Sequence, residues 1–361
     1  MPACIFNSNH PLTTMQMTDR NMNEEQWVED YFELGDFTLD SGAVLQDARI
    51  AYLAKGSLNT KRDNLVVLPT HYGGAMASNR TWVEHPGSPL APGDYCIVVP
   101  ALFGNGESTS PSNAAPPQRG AKFPSIALAD NVRAQQQLIT SRFEDAAPRL
   151  VAGWSMGGMQ ALQWAALFPQ RVGAALAVCA TAHCYPHNAL FLDGVKAALE
   201  ADPALARGEA PMRGLRAFAR VYVGWAYSQR FFRDGLYRAL GFESIAALLD
   251  HWEADHLAQN AHDLLAMLDT WQHADIAAMP GFDGDTAQAL ATIRARTILM
   301  PSRTDLYFTA EDACNDAAQI PGAECRVLES DWGHCGGGPG REPASMAAIF
   351  EAMRTLLAPA G

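Results

Sequence analysis

The 361-residue chain has no apolar stretch that could cross a bilayer: the longest uncharged apolar run is Val172–Ala182, 11 residues, against the roughly 20 a spanning helix needs. Positive charge is scarce too, with 26 Lys and Arg against 39 Asp and Glu and a net charge of −13. That sign repels nucleic acid and anionic membrane over most of a surface, so neither partner is expected. Cysteine is sparse and odd in number, seven without a Cys-x-x-Cys pair, which fits reduced thiols better than a disulfide framework. The first residues, MPACIFNSNHPLTTMQ, have neither the basic nor the apolar region of a secretion signal. A cytoplasmic location is expected, with residues 1–25 poorly ordered. Apolar residues are plentiful, 48% against 18% charged, enough to offset the entropy of ordering the chain. The length allows two small domains or one large core carrying an insertion.

Short apolar runs bounded by Gly, Pro or Asp predict strands at Ala48–Leu53, Leu65–Thr70, Tyr95–Pro100, Leu150–Trp154 and Ala174–Ala180. Helical spacing of apolar residues marks Asp130–Thr140 and Met156–Phe168 between them. Strand and helix in alternation mean an α/β fold with a mostly parallel sheet. From His183 to Ala287 the strand signal vanishes and helices are predicted at Ala189–Ala201, Met212–Phe232, Ser244–Ala254 and Ala258–Trp271. The α/β rhythm returns with strands at Arg296–Met300 and Cys325–Leu328 and helices at Ala310–Ala318 and Pro343–Leu357. The expected organisation is therefore a core of residues 26–182 and 288–361, interrupted by a helical lid at 183–287. The polar loop Gly104–Gly120 is long enough to suggest a function of its own.

The chemistry concentrates in Gly153-Trp154-Ser155-Met156-Gly157, a Gly-x-Ser-x-Gly run with a strand before it and an amphipathic helix after it, the setting of a nucleophile elbow. A serine hydroxyl is a weak nucleophile until a histidine takes its proton and a carboxylate orients that histidine. In this chain order the acid follows a late strand and the histidine comes last. Asp305 lies in the loop after Arg296–Met300, and His334 is the last of ten histidines. Asp331 and Asp312 are the rival acids; the first is only three residues from His334 and the second falls in a predicted helix. The developing oxyanion needs two N–H donors: Met156 supplies one by position, and the loop His71-Tyr72-Gly73-Gly74 the other, from Tyr72 or, as second choice, Gly73. His71 is read as shaping that loop. His183 and His187 have the spacing of a zinc helix, but Pro186 intervenes and no zincin glutamate accompanies them, so no metal is expected.

With these residues in place the chain resembles the α/β-hydrolase superfamily and, more narrowly, the homoserine O-acetyltransferase family, from about residue 35 to its end. The likeness lies in Gly153-Trp-Ser155-Met-Gly-Gly-Met-Gln160, in Gly106–Ser112 with Phe123-Pro124, and in Asp130–Gln135. It implies an α/β-hydrolase fold with a helical lid inserted before the last strands. Within the lid, Gly214-Leu215, Ala219-Arg220 and Tyr227 resemble a helix whose arginine and tyrosine contact substrate, which implies that Arg220 holds a carboxylate and Tyr227 hydrogen-bonds beside it. The resemblance also makes acyl-CoA a candidate co-substrate, with no bound cofactor, and is compatible with a homodimer. It departs at two points. The family follows its catalytic histidine with an aspartate where this chain has Cys335, and its oxyanion loop differs from His71-Tyr-Gly-Gly74, so homoserine is not carried over as the acceptor.

The sequence thus implies acyl transfer through an acyl-enzyme on Ser155, with a small molecule as substrate. Two fates stay open: an alcohol resolves the acyl-enzyme, as in an O-acyltransferase slightly favoured by the resemblance, or water does, as in an esterase or thioesterase.

Overall fold

The computed structural model describes residues 26–90, 93–279 and 281–359; the segment 1–25 expected to be poorly ordered lies outside them. Strands β1 (Val28–Thr38), β2 (Val44–Lys55) and β3 (Leu65–Val67) come first. Short helices α1 (Met76–Asn79) and α2 (Thr81–Glu84) follow, then β4 (Cys96–Pro100), α3 (Leu128–Arg142), β5 (Pro148–Trp154), α4 (Met156–Leu167) and β6 (Ala174–Val178). They join one eight-stranded sheet of order β1-β2-β4-β3-β5-β6-β7-β8, completed by β7 (Arg296–Met300) and β8 (Glu324–Cys325). The pairs β1/β2 and β2/β4 are antiparallel and the rest parallel, the arrangement of the α/β-hydrolase fold that the resemblance implies.

The inner strands read as continuous apolar runs because both faces are covered. Alternation assigns each residue to a side: in β4, Cys96 and Val98 pack on one face while Ile97 and Val99 pack on the other. Helices α3 and α4 cover the first face, and α13 (Pro343–Leu357) covers the second. Helix α4 is buried on nearly every side, since both the sheet and the helical segment press on it.

Between β6 and β7 the chain is helical: α5 (Pro186–Glu200), α6 (Pro203–Ala206), α7 (Met212–Ala226), α8 (Gln229–Arg233), α9 (Ile245–Leu257), α10 (Ala261–Gln272) and α11 (Thr286–Ala291). After β7 comes α12 (Ala310–Ala318). No helix among the described residues is long and apolar enough to cross a membrane.

Strand β1, not expected from the sequence, is an acidic edge strand, irregular around Gly35, as unpaired edges commonly are. Three expectations need correction. The expected strand Cys325–Leu328 is only Glu324–Cys325 plus an isolated bridge from Leu328 to Ser302, because β7 ends at Met300 and its chain turns away into a loop. The helix expected over Met212–Phe232 breaks at Tyr227, which is extended, and restarts where the Ser228 hydroxyl accepts the Phe231 N–H at 3.0 Å, a serine N-cap. Finally, the thiols are not all reduced: α12 runs back toward β8 and brings Cys314 and Cys325 to a Cα separation of 5.3 Å, where they form a disulfide, within the span such a bond requires. Cys96, Cys179, Cys184 and Cys335 are free.

Candidate active site

Ser155 sits at the turn from β5 into α4 with φ 57° and ψ −130°, a conformation a non-glycine residue adopts only when its surroundings force it. The glycines around it are what the force requires. A Cβ on Gly153 would lie 2.1 Å from the carbonyl carbon of Gly157, and one on Gly157 would lie 2.6 Å from the Pro69 oxygen. The Gly-x-Ser-x-Gly pattern is therefore a packing condition between β5, α4 and the end of β3. The serine N–H donates to Val178 O at 2.9 Å, fixing the elbow to β6.

Asp305 and His334, 29 residues apart in sequence, meet in the interior: His334 Nδ1 is 2.7 Å from Asp305 Oδ2. The other carboxylate oxygen, Oδ1, accepts the N–H groups of Tyr307 at 3.1 Å and Phe308 at 3.0 Å. One oxygen is thus held by the backbone and the other orients the imidazole. The rival acids are engaged elsewhere, Asp331 with Arg303 at 2.6 Å and Asp312 with the Thr309 hydroxyl at 2.7 Å. Trp154, the residue before Ser155, stacks on the His334 ring at 4.8 Å and donates its indole N–H to the His334 carbonyl at 3.2 Å. Asp305 and His334 therefore meet beside Trp154, the residue that leads into the elbow at the carboxyl end of β5.

The oxyanion loop is tied to the elbow by a buried amide chain that the sequence did not reveal. Gln160 Nε2 donates to Thr70 O at 2.9 Å and Met156 O at 3.1 Å, its Oε1 accepts from Gln135 Nε2 at 2.6 Å, and Gln135 Oε1 accepts the Trp164 indole N–H at 2.7 Å. Each amide meets its hydrogen-bonding demand in a region where an unmet one is costly. Both glutamines fall in the motifs quoted above, and only their burial distinguishes them. Among the described residues the N–H groups of Met156 and Tyr72 donate to no protein acceptor, which leaves both available to an oxyanion. Gly73 supplies the turn after Tyr72 with φ 65°.

His71 shapes this loop, as expected: its ring lies against Trp154 at 4.6 Å and leaves no space for a side chain at Gly74. Burial, with help from the charge of Arg341 and from His334, pushes its imidazole down to about 3, so it stays neutral. The His183 ring packs on Tyr185 and the His187 ring on Trp225. Among the described residues, the group with metal-ligand spacing is Cys179, Asp305 and His334, and in it the imidazole and carboxylate are already bonded to each other.

Of the two residues of the helical segment that the resemblance assigns to substrate, Arg220 lies at the surface and Tyr227 in the interior. Arg220 pairs with Glu253 on α9 with its side chain 56% exposed, because α7 turns its arginines outward. Tyr227 is buried where α7 ends, stacked on Phe231 at 4.0 Å and hydrogen-bonded to the Cys335 thiol. It braces the segment that carries His334. The residue of α7 that reaches the site is Tyr222, whose ring contacts Tyr72 at 5.7 Å. Its position two residues from Arg220 puts it on the opposite face of the helix.

A family profile described as "Alpha/beta hydrolase family" matches residues 65–349. An ethyl acetate hydrolase of Pseudomonas veronii is 34% identical over 309 residues, covering 84% of this chain and 88% of that protein. A homoserine O-acetyltransferase of Thermobifida fusca is 31% identical over 347 residues, covering 87% and 89%. Among solved structures, the acetyl esterase MekB superposes with a TM-score of 0.88 at 32% identity, covering 91% of this chain and 96% of that one.

Proposed function

Because the chain belongs to the α/β-hydrolase family and is an enzyme of that superfamily, we propose that it hydrolyses small uncharged carboxylic esters through an acyl-enzyme on Ser155. His334 takes the Ser155 proton as the hydroxyl oxygen attacks the ester carbonyl, while Asp305 holds the imidazole and stabilises its positive charge. The carbonyl oxygen becomes an oxyanion facing the N–H groups of Met156 and Tyr72. As the intermediate collapses, the carbon–oxygen bond to the alcohol breaks and His334 gives its proton to the leaving oxygen. Water then repeats the sequence on the acyl-serine, releasing the acid and restoring the hydroxyl. No bound cofactor or metal is assigned to these steps.

The observation that carries water over an amino acid acceptor is the orientation of α7. An acceptor carboxylate is best held by an arginine fork, and here Arg220 is bound to Glu253 at the surface. Cys335, in place of the family's aspartate, is buried against Tyr227 and offers no carboxylate to an acceptor's ammonium group. The similarity to an ethyl acetate hydrolase and to an acetyl esterase supports the same choice. Purified protein is expected to release acetate from ethyl acetate and p-nitrophenyl acetate at a rate that added homoserine or serine leaves unchanged. Thiol release from acetyl-CoA that depends on one hydroxy amino acid, with its ester formed in step, would establish a transferase instead.

A further inference from the structure

Aromatic side chains form an open circuit of contacts that runs from the oxyanion loop to the His334 ring. Starting at the oxyanion residue, Tyr72 contacts Tyr222 at 5.7 Å, Tyr222 contacts Phe191 at 5.4 Å, Phe191 stacks on Tyr307 at 5.0 Å with the ring planes 2° apart, and Tyr307 contacts the His334 ring at 4.5 Å. These separations are those of rings in direct contact, so no alkyl chain passes between neighbours without displacing one. The hydroxyls lock the circuit: Tyr307 donates to Tyr222, and Tyr72 donates to Leu264 O at 3.3 Å. Phe191 is the one member without a polar tether. It sits on α5, Tyr222 sits on α7, and Tyr307 sits in the acid loop, so the circuit joins the two ends of the catalytic machinery through the lid.

We propose that Phe191 and Tyr222 set the length of acyl chain the enzyme accepts, closing the space beyond the acyl carbon to groups of two or three carbons. The assignment rests on the ester-hydrolysis reading above and adds the residues that limit its substrate. In this proposal an acyl group bound to Ser155 extends between the Tyr72 N–H and the His334 imidazole toward this wall, and a longer chain must push Phe191 aside from its stack on Tyr307. Neither side chain touches the reacting atoms, and their expected effect is on selectivity.

The test is the ratio of kcat/KM for p-nitrophenyl octanoate to that for p-nitrophenyl acetate. Wild type should favour acetate by at least about tenfold, the scale on which a pocket discriminates chain length. Phe191→Ala and Tyr222→Ala should each raise the octanoate-to-acetate ratio by about tenfold or more, and Phe191→Leu, the safer replacement for folding, should raise it in the same direction. A ratio that stays at the wild-type value in all three variants, with circular dichroism showing them folded, overturns the assignment while leaving ester hydrolysis intact. A wild type indifferent to chain length overturns it as well. Absence of turnover on every ester would instead overturn the ester-hydrolysis reading itself, and the chain-length assignment with it.

Discussion

At Asp305 the two oxygens of one carboxylate are given different partners, and that division separates it from its rivals. A carboxylate fixed by two backbone N–H groups cannot swing, so its free oxygen dictates where His334 points. Asp331 has its oxygens on Arg303 and Arg230 and makes no contact with the His334 ring nitrogen that Asp305 holds. Elsewhere in the site, Glu107 accepts the Met76 N–H and the Asn105 amide, each at 2.9 Å, and so ties the polar loop to the oxyanion loop. Burial pushes its carboxyl up to about 7 from an ordinary 4.5. The folded state therefore holds a proton there that the unfolded state has lost, and stability falls as pH rises through the window between those values. Glu107→Gln, neutral at every pH, lacks that slope. The melting temperature of the variant relative to wild type should rise from about pH 5 to about pH 8; two curves that stay parallel would contradict the assignment. The elbow at Ser155 and the pairing of Asp305 with His334 were legible in the sequence because a serine nucleophile demands a base and an acid in a known chain order. Tyr222, Gln135 and Gln160 were not, because a buried aromatic or amide on a helix has the same periodicity whether it lines a site or fills a core.

Helix α7 shows how far an element can be read from sequence. Its existence was plain from apolar spacing, and its buried residues Leu215, Phe218, Ala219 and Val223 fall on one face. The rotation of that face relative to the serine was not available, because it depends on how α7 packs on α5 and α9. Rotation is what moves Arg220 from the substrate side to the surface, where Glu253 receives it. An exposed ion pair of this kind contributes about 0–1 kcal/mol. Arg220→Ala should leave kcat and KM for an acetate ester within about twofold of wild type, since surface changes rarely exceed ~0.5 kcal/mol. A large rise in KM would return the arginine to the substrate-binding role that the resemblance implies. The same limit applies at the end of α7, where the apolar run continues through Tyr227 and the capping hydroxyl of Ser228 decides the break. A continuous periodic pattern gives no warning of it.

For the whole molecule, the parallel sheet was legible because its inner strands are apolar throughout, and the acidic edge β1 was missed for the converse reason. The disulfide between Cys314 and Cys325 was hidden by composition, since seven cysteines over a long chain give no pairing signal, and only the return of α12 onto β8 brings the two together. The sheet fixes the ends of β5 and β7, which sets Asp305 against His334 and both beside Trp154, the residue before Ser155. The central claim is that this arrangement produces an acyl-enzyme on Ser155 which water resolves. The most direct measurement is rapid mixing of the protein with p-nitrophenyl acetate, with the quenched protein analysed by intact mass and peptide mapping. The account predicts release of p-nitrophenol, an acetyl group trapped on the peptide containing Ser155, and loss of both in Ser155→Ala. Turnover that persists in Ser155→Ala, or an acetyl group mapped to another residue, would contradict it.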